Sequence, residues 1–286
     1  MKYAVCLPNY GTDIKPDGIV KFFNEAEDLG YESVWATDHI LMNKGSGTPY
    51  ESITESITTI SYLASKSSNL RLGISALIIA MRNPLLTAKQ LATIDFLSNG
   101  RLSIAIGTGW NQQEFENLGS NFHDRGKRVS EYINVIRALW EDKSTGKLSD
   151  VSFFPMPVQK RLPIYIAGGS MAAMRRAIAL GDGWHPNLYD IKEFEHMVGT
   201  FNKLPNASQK EIFVRVAVDI NRGLSSYTSP QGEKRSILPA DKSALDILEL
   251  LQSLGVSGIL LAPNYDGKHT LERQINTISA FAKNFI

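Results

Sequence analysis

The chain has 286 residues, of which 30 are Lys or Arg and 29 are Asp or Glu, so its formal net charge is +1. Because neither sign is in excess, the composition argues against a nucleic-acid-binding surface and against a polybasic membrane-binding surface. We expect a cytoplasmic protein, since no apolar run approaches the ~18 residues that span a bilayer, no signal-peptide pattern follows Lys2, and the single Cys6 excludes an internal disulfide.

Apolar runs of strand length alternate with helical patterns along the chain. The predicted strands are Tyr3–Pro8, Ser33–Thr37, Leu70–Ile78, Leu102–Gly107, Ile164–Ala167, Gly183–His185, Ile212–Asp219 and Gly258–Ala262. The predicted helices are Asp17–Leu29, Thr54–Ser65, Pro84–Leu97, Asp124–Glu141, Met171–Leu180, Ile191–Asn202, Ala240–Leu254 and Thr270–Phe285. Most of these strands are apolar on both faces, which is typical of a parallel sheet covered by helices.

Eight β–α units without a break in composition predict a single domain over residues 1–286, in the α/β class, folded as a (β/α)8 TIM barrel. The alternative is an open doubly wound sheet, which would place a GxGxxG turn directly after the first strand. That strand ends instead with Leu7-Pro8-Asn9-Tyr10-Gly11, so the barrel is favoured. Residues Ser144–Leu162 are predicted to be irregular.

The carboxyl ends of the barrel strands supply the candidate site residues, because barrel enzymes carry their chemistry there. These positions are Asn9, Asp38, His39, Ser75 to Arg82, Thr108 to Gln113, Gly168 to Ser170, His185, Arg222 and Asn264 to Lys268. The polar, Gly-rich loop Met42–Glu51 is predicted to be a mobile lid.

The sequence lacks the residues that three common types of barrel enzyme require. The five histidines are scattered, so we predict no metal site. The lysines Lys44, Lys89 and Lys192 fall in loops or helices, which argues against a Schiff base, and no GxSxG turn is present. A site rich in Gly, Asn and aromatic residues with one well-placed histidine suits an organic cofactor.

Gly168-Gly169-Ser170 links an apolar strand directly to a helix. The residues alone leave two alternatives, a tight structural turn or an anion site formed by amide groups at the helix N-terminus.

Several segments together resemble the luciferase-like monooxygenase superfamily, and in particular its coenzyme F420-dependent oxidoreductase branch. The segments are AVCLPNYG, EAEDLGYESVWATDH, RLGISALIIAMRNPLLTAKQLATIDFLSNGRLSIAIGTGWNQQEFENLG, RGKRVSEYINVIRALW, PVQKRLPIYIAGGS and ALGDGWHP. They span about residues 3–187, and the remainder matches only as a continuing β–α pattern. The resemblance implies a homodimer with a flavin or deazaflavin in the barrel mouth.

The resemblance assigns roles to single residues. His39 matches the catalytic histidine beside the deazaflavin ring, and Asp38 supports the neighbouring loop. The Ser75-Ala76 bond matches a non-proline cis peptide bond behind the ring. The implied cofactor-binding residues are Asp38, His39, Ser75, Ala76, Thr108, Asn111, Gly168, Gly169 and Ser170, the last three at the cofactor phosphate. The implied substrate-pocket residues are Trp110, Asn9 and His185.

Trp110 stands where the sugar-phosphate dehydrogenases of this group have an acidic residue, which argues against that reaction. Glu114 is expected to cap the following helix.

Two enzymatic functions follow from the resemblance. The preferred one is hydride transfer between F420 and a small organic substrate, with basic residues such as Lys44, Arg82, Lys192 or Lys268 near the anionic tail of F420. The alternative is a monooxygenase that uses O2 and reduced FMN supplied by a separate reductase. A flavin-binding protein without turnover is the third hypothesis.

Overall fold

Ten strands and nine helices occur in the residues that the computed structural model describes, which are 1–12, 14–141 and 148–286. The strands are β1 (Lys2–Cys6), β2 (Ser33–Ala36), β3 (Arg71–Leu77), β4 (Leu102–Ile106), β5 (Ile164–Ala167), β6 (Gly183–His185), β7 (Glu211–Asp219), β8 (Ser225–Thr228), β9 (Lys234–Pro239) and β10 (Val256–Ala262). The helices are α1 (Pro16–Asp28), α2 (Ser56–Leu63), α3 (Pro84–Leu97), α4 (Gln112–Asn117), α5 (Arg125–Trp140), α6 (Met171–Leu180), α7 (Ile191–Asn202), α8 (Leu245–Ser253) and α9 (Leu271–Phe285). None of these helices is long and apolar enough to cross a membrane.

Eight of the strands close into a barrel. From β1 to β7 each strand pairs in parallel with the next, and β10 pairs in parallel with both β7 and β1. The helices lie between successive strands, as parallel pairing requires. The prediction of a (β/α)8 TIM barrel is therefore confirmed.

Large aromatic side chains fill the inside of the barrel. The ring of Trp35 lies 5.3 Å from that of Phe213 and 6.3 Å from that of Tyr165. A Cβ atom on Gly73 would lie 2.1 Å from the Trp35 ring, so glycine is required opposite this side chain. Because residues two apart on a strand share a face, Arg215 follows Phe213 into the barrel interior, nearer the carboxyl ends of the strands.

Two elements at the barrel mouth were not predicted. The first is the short helix α4, which follows β4. The second is the antiparallel hairpin of β8 and β9, whose strand β9 pairs in parallel with Ala217–Asp219 at the end of β7. The hairpin therefore extends the sheet at the carboxyl ends of the strands, where the site is expected.

The remaining predictions agree closely with the structure. The bounds of α3, α6 and α7 are those predicted. The predicted helix Ala240–Leu254 consists of a single 3-10 turn followed by α8. In the predicted irregular segment Ser144–Leu162, no α-helix or strand occurs from residue 148 onward, and residues 144–147 lie outside the described residues.

Candidate active site

A cavity of about 570 Å³ opens at the carboxyl ends of the barrel strands. Nine of the predicted site residues line it, namely Asp38, His39, Ser75, Ala76, Thr108, Trp110, Gly168, Gly169 and Ser170. The other three, Asn9, Asn111 and His185, are not part of its wall. No group of three or more His, Cys, Asp or Glu side chains that could hold a metal ion occurs among the described residues.

His39 and Glu114 form a buried pair beside this cavity. Nδ1 of His39 lies 2.8 Å from Oε2 of Glu114, and the side chains are only 5% and 1% exposed. Oε1 of Glu114 accepts hydrogen bonds from the amide groups of Ile40 and Leu41, at 2.6 and 3.2 Å. Because the carboxylate accepts, the Nδ1 atom carries the proton and the Nε2 atom remains available to a group in the cavity.

The expectation that Glu114 caps the following helix is therefore wrong. Glu114 does lie in the first turn of α4, but its side chain turns back to the loop after β2. In the sequence, Glu114 is one of several polar residues in a short segment. Nothing in that pattern distinguishes a side chain that caps a helix from one that contacts a distant histidine. The pairing with His39 depends on α4, which was not predicted.

Two aromatic rings enclose the imidazole of His39. The ring of Tyr50 is stacked on it at 4.6 Å between centroids, and Trp110 makes an edge contact at 5.7 Å. Tyr50 belongs to the loop Met42–Glu51, in which the Glu51 carboxylate accepts hydrogen bonds from the amide groups of Gly45 and Gly47. The loop therefore contributes one wall of the site, and its mobility remains a prediction.

Asp38 organises the loop that follows β3. Its Oδ1 atom accepts from Ser56 Oγ at 2.7 Å and from Arg82 Nη2 at 2.6 Å, and its Oδ2 atom accepts from the Ile78 amide at 2.9 Å. Arg82 is also paired with Glu55 at 2.9 Å. Arg82 is thus engaged inside the protein, which argues against the predicted contact with a cofactor tail.

The peptide bond between Ser75 and Ala76 is cis, as predicted. Behind it lies His185, whose Nε2 atom is 2.8 Å from Ser75 Oγ and whose Nδ1 atom contacts the carbonyl oxygen of Phe213. Since a carbonyl only accepts, Nδ1 of His185 carries the proton and Nε2 accepts from the serine hydroxyl. His185 therefore positions Ser75 from behind instead of lining the substrate pocket, which corrects the prediction.

The buried His185 should make the stability of the protein depend on pH. Burial lowers its pKa from 6.5 to about 3, so between these values the unfolded chain binds one more proton than the folded chain. The free energy of unfolding should therefore fall as the pH drops below about 6.5, by about 1.4 kcal/mol per pH unit from this group. Urea unfolding of the wild type and of His185→Gln, from pH about 7 to about 5, measures this contribution as a difference in slope. Equal slopes in the two proteins would show that His185 does not titrate in this way.

The Gly168-Gly169-Ser170 turn forms a cradle at the start of α6. Ser170 caps the helix, because its Oγ atom accepts from the Ala173 amide at 3.2 Å. Gly168 has a φ of 116°, a conformation that favours glycine. A Cβ atom on Gly169 would lie 2.8 Å from the end of the Met197 side chain, within the cavity wall.

This cradle fits the phosphate of a cofactor. The turn lines the cavity, and the amide groups of residues 169–172 donate to no acceptor among the described residues. Unpaired amide groups at a helix N-terminus, together with the helix dipole, attract an anion.

Asn9 and Asn111 lie next to the cavity without lining it. The Asn9 side chain donates to the carbonyl oxygen of Thr37 and accepts from its amide group, both at 2.9 Å. It therefore fixes the end of β2 and does not line the cavity, whereas the prediction placed Asn9 in the substrate pocket. Asn111 precedes α4, and its side chain contacts the sulfur of Met42.

Arg215, Lys234 and Arg235 line the cavity and were not predicted. Arg215 lies on β7, and its charge in the middle of an otherwise apolar strand was a usable signal, since buried charges usually serve a partner. Lys234 and Arg235 belong to the hairpin that was not predicted. The predicted rim lysines Lys44, Lys192 and Lys268 do not line the cavity.

Comparison with known proteins identifies a family. The profile of the luciferase-like monooxygenases matches residues 1–220. An F420-dependent glucose-6-phosphate dehydrogenase of Amycolatopsis mediterranei is 30% identical over 181 residues, which are 59% of this chain and 53% of that protein. An FMNH2-dependent dimethylsulfone monooxygenase of Pseudomonas fluorescens is 31% identical over 205 residues, which are 65% of this chain and 54% of that protein. The chain thus spans about half the length of these two relatives.

The fold agrees with solved structures over the whole chain. The monooxygenase RslO1 from Streptomyces bottropensis superposes with a TM-score of 0.78 at 17% identity, covering 100% of this chain and 98% of that one. At this identity the likeness concerns the fold, which extends through β10 and α9, beyond the part matched by the family profile.

Proposed function

Because the chain belongs to the luciferase-like monooxygenase family, we propose that it is an oxidoreductase that transfers a hydride between coenzyme F420 and a small organic substrate. The observation that carries this proposal is the His39–Glu114 pair, which leaves one imidazole nitrogen available in a cavity that also contains a phosphate cradle. Oxidising an alcohol removes a hydride and a proton, and the available imidazole nitrogen of His39 can accept the proton.

The residues of the cavity fit F420 at two places. The Gly168-Gly169-Ser170 turn would hold its phosphate, and Lys234 lies on the cavity wall, where an anionic tail would find positive charge. Bound F420 would supply the hydride chemistry, and the cis peptide bond at Ser75-Ala76 would support its ring.

The protein residues handle the proton. In the direction of oxidation, Nε2 of His39 accepts the hydroxyl proton of the substrate while the hydride leaves the adjacent carbon. Glu114 keeps the proton on Nδ1 and stabilises the imidazolium cation that forms. Trp110 and Tyr50 restrict access of water to the imidazole on two sides. In the direction of reduction, the same nitrogen returns the proton to the carbonyl oxygen.

Glucose 6-phosphate is not the substrate that we propose. The resemblance implies an acidic residue at the position of Trp110 in the sugar-phosphate dehydrogenases of this group, and an indole cannot transfer a proton in its place. Trp110 instead gives the substrate an apolar wall.

A second candidate is a monooxygenase that uses reduced FMN from a separate reductase. The observation that favours it is the similarity to the FMNH2-dependent relative, which is as high as that to the F420-dependent one. The phosphate cradle suits FMN equally well.

An anaerobic turnover assay tests the proposal. Reduced F420 is mixed with a panel of small ketones, aldehydes and oxo acids, and its oxidation is followed by absorbance. We expect substrate-dependent oxidation without O2. Turnover only with reduced FMN, with consumption of O2, would support the monooxygenase instead, and tight binding of either cofactor without turnover would support the non-catalytic hypothesis.

We also propose a homodimer that forms through α3 and the segment 151–158. On the outer face of α3, the side chains of Leu86, Phe96 and Leu97 are 58%, 47% and 69% exposed. The ring of Phe96 packs on Phe154, which is itself 67% exposed. Several large apolar side chains exposed on one side of a protein are typical of an interface. Sedimentation equilibrium tests this, and a monomer at all concentrations would contradict it.

A further inference from the structure

The cavity continues into a small recess beside β7 and the β8–β9 hairpin. The recess has a volume of about 10 Å³, and its polar lining consists of Tyr50, Asn187, Arg215, Tyr227, Arg235 and Tyr265. None of the residues predicted to bind the cofactor lines it. The recess is therefore a part of the site that the cofactor hypothesis leaves unexplained.

Arg215 brings a positive charge into this recess without a carboxylate partner. Its Nη1 atom donates to the carbonyl oxygen of Ser75 at 3.0 Å, and its Nη2 atom donates to Thr37 Oγ1 at 3.2 Å. Both acceptors are neutral, and these bonds use two of the five N–H donors of the guanidinium. The nearby acidic side chains are paired elsewhere, Glu233 with Arg235 and Asp219 with Arg273.

A charge in this position requires a counter-charge. Transfer of an ion from water into a protein interior is costly unless it is paired and hydrogen-bonded. Within the described residues no carboxylate forms an ion pair with Arg215, so an anionic ligand in the cavity would supply the missing counter-charge.

The tyrosines of the recess provide further donors. Burial raises the pKa of Tyr50, so its hydroxyl group stays protonated. In the described part of the chain, no hydrogen bond uses the hydroxyl groups of Tyr50 or Tyr227, whereas that of Tyr265 donates to Asp219. Two free phenol groups beside a guanidinium make a site for an oxyanion.

We propose that this recess binds a carboxylate group of the substrate, which makes the substrate a small organic acid. A carboxylate offers two oxygens to a guanidinium. The recess has room for about one water-sized group, such as one carboxylate oxygen, and the rest of the molecule occupies the cavity, whose wall Arg215 also lines. Because Tyr50 both lines the recess and stacks on His39, a carboxylate held there places the remainder of a hydroxy or oxo acid beside the imidazole. The inference rests on the proposed function, since it takes the cavity as the substrate site.

A binding comparison tests the recess without any turnover. Benzoate and benzamide have nearly the same shape and differ in charge, and their binding to the protein without cofactor is measured by calorimetry. We expect benzoate to bind at least about tenfold more tightly than benzamide, because charge-assisted hydrogen bonds to a guanidinium are strong. Equal binding of the two probes, or no binding of benzoate, would overturn the proposal whatever the variants do.

Variants then show which residues cause the preference for benzoate over benzamide. Arg215→Gln should abolish the preference for benzoate, and Tyr227→Phe should weaken benzoate binding without affecting benzamide. Arg161→Gln is the matched control, because this arginine is 54% exposed and lies at the opposite end of the barrel, near Lys2 and Glu211. Full preference in Arg215→Gln would contradict the proposal. Circular dichroism checks that each variant is folded, and the comparison of the two probes on the wild type remains decisive if Arg215→Gln does not fold.

Cofactor titrations of the same variants separate this proposal from the proposed function. If Arg215→Gln weakens F420 or FMN binding and leaves the benzoate preference unchanged, Arg215 serves the cofactor and the proposal is wrong. If neither cofactor binds the wild type but the preference for benzoate depends on Arg215, the proposed oxidoreductase function fails and the carboxylate site stands.

Discussion

Replacement of His39 by alanine is expected to lower kcat by about 10²- to 10⁴-fold, the range over which a positioned acid or base contributes to catalysis. The reason is that Nε2 of His39 is the proton acceptor in the proposed reaction, and alanine offers no group that accepts a proton. The affinity for F420 should change by less than about threefold, because the phosphate cradle is separate from His39 and supplies cofactor binding on its own. The measurement is F420 oxidation under anaerobic conditions with a substrate from the panel, alongside a fluorescence titration of the cofactor.

Two further variants make this result interpretable. His196→Ala removes an exposed histidine on α7 and should leave kcat unchanged. In Glu114→Gln the amide group can donate to Nδ1 of His39, which would put the proton on Nε2 and block its use as a base. Its pH profile should therefore differ from that of the wild type, whereas a purely structural role of Glu114 would lower activity equally at every pH. An unchanged kcat in His39→Ala would exclude the proposed role of the pair.

The second large effect is expected at the phosphate cradle. Ser170→Asp should weaken cofactor binding by tenfold or more, because it places a negative charge at the helix N-terminus where the phosphate would lie, and about 1.4 kcal/mol of repulsion already corresponds to tenfold. Aspartate caps a helix as well as serine does, so α6 and the thermal stability should be preserved.

Ser170→Asn is the matched control for this substitution. Asparagine is similar in size to aspartate and is also a good N-cap, but it carries no charge. It should bind the cofactor nearly as the wild type does. Equal affinity of Ser170→Asp and Ser170→Asn would mean that no phosphate lies at this turn.

The fold was predictable because its pattern repeats. Short strands that are apolar on both faces, alternating with amphipathic helices, allow few arrangements, and eight such units close a barrel. The start of α3 was given by Asn83 and Pro84, where the asparagine side chain accepts from two amide groups of the first turn. The hairpin of β8 and β9 was missed because β8 has only four half-buried or exposed residues and lies on the mouth, where no alternating core face marks it.

The candidate site was predictable where the chain itself determines local geometry. The residue types of Gly168 and Ser170 predict a turn followed by a helix. His39 was predictable because it comes just after a strand, at the end of the barrel that carries the site. The partners of these residues were not predictable, because they come from distant segments. Glu114 reaches His39 across 75 positions of the sequence, and Arg215 reaches Ser75 across 140. For His185 the sequence predicted the position at a strand end but not the direction of the side chain. The side chain points into the core behind the cavity wall.

The central claim is that the barrel mouth holds F420 for hydride transfer, and titration of the protein with F420 and, in parallel, with FMN tests it most directly. Fluorescence of each cofactor is followed under identical conditions in the wild type and in Ser170→Asp. We predict saturable quenching of F420 fluorescence with a Kd at least about tenfold below that for FMN, and loss of this binding in the aspartate variant. Clear binding of FMN with no response to F420 would contradict the account.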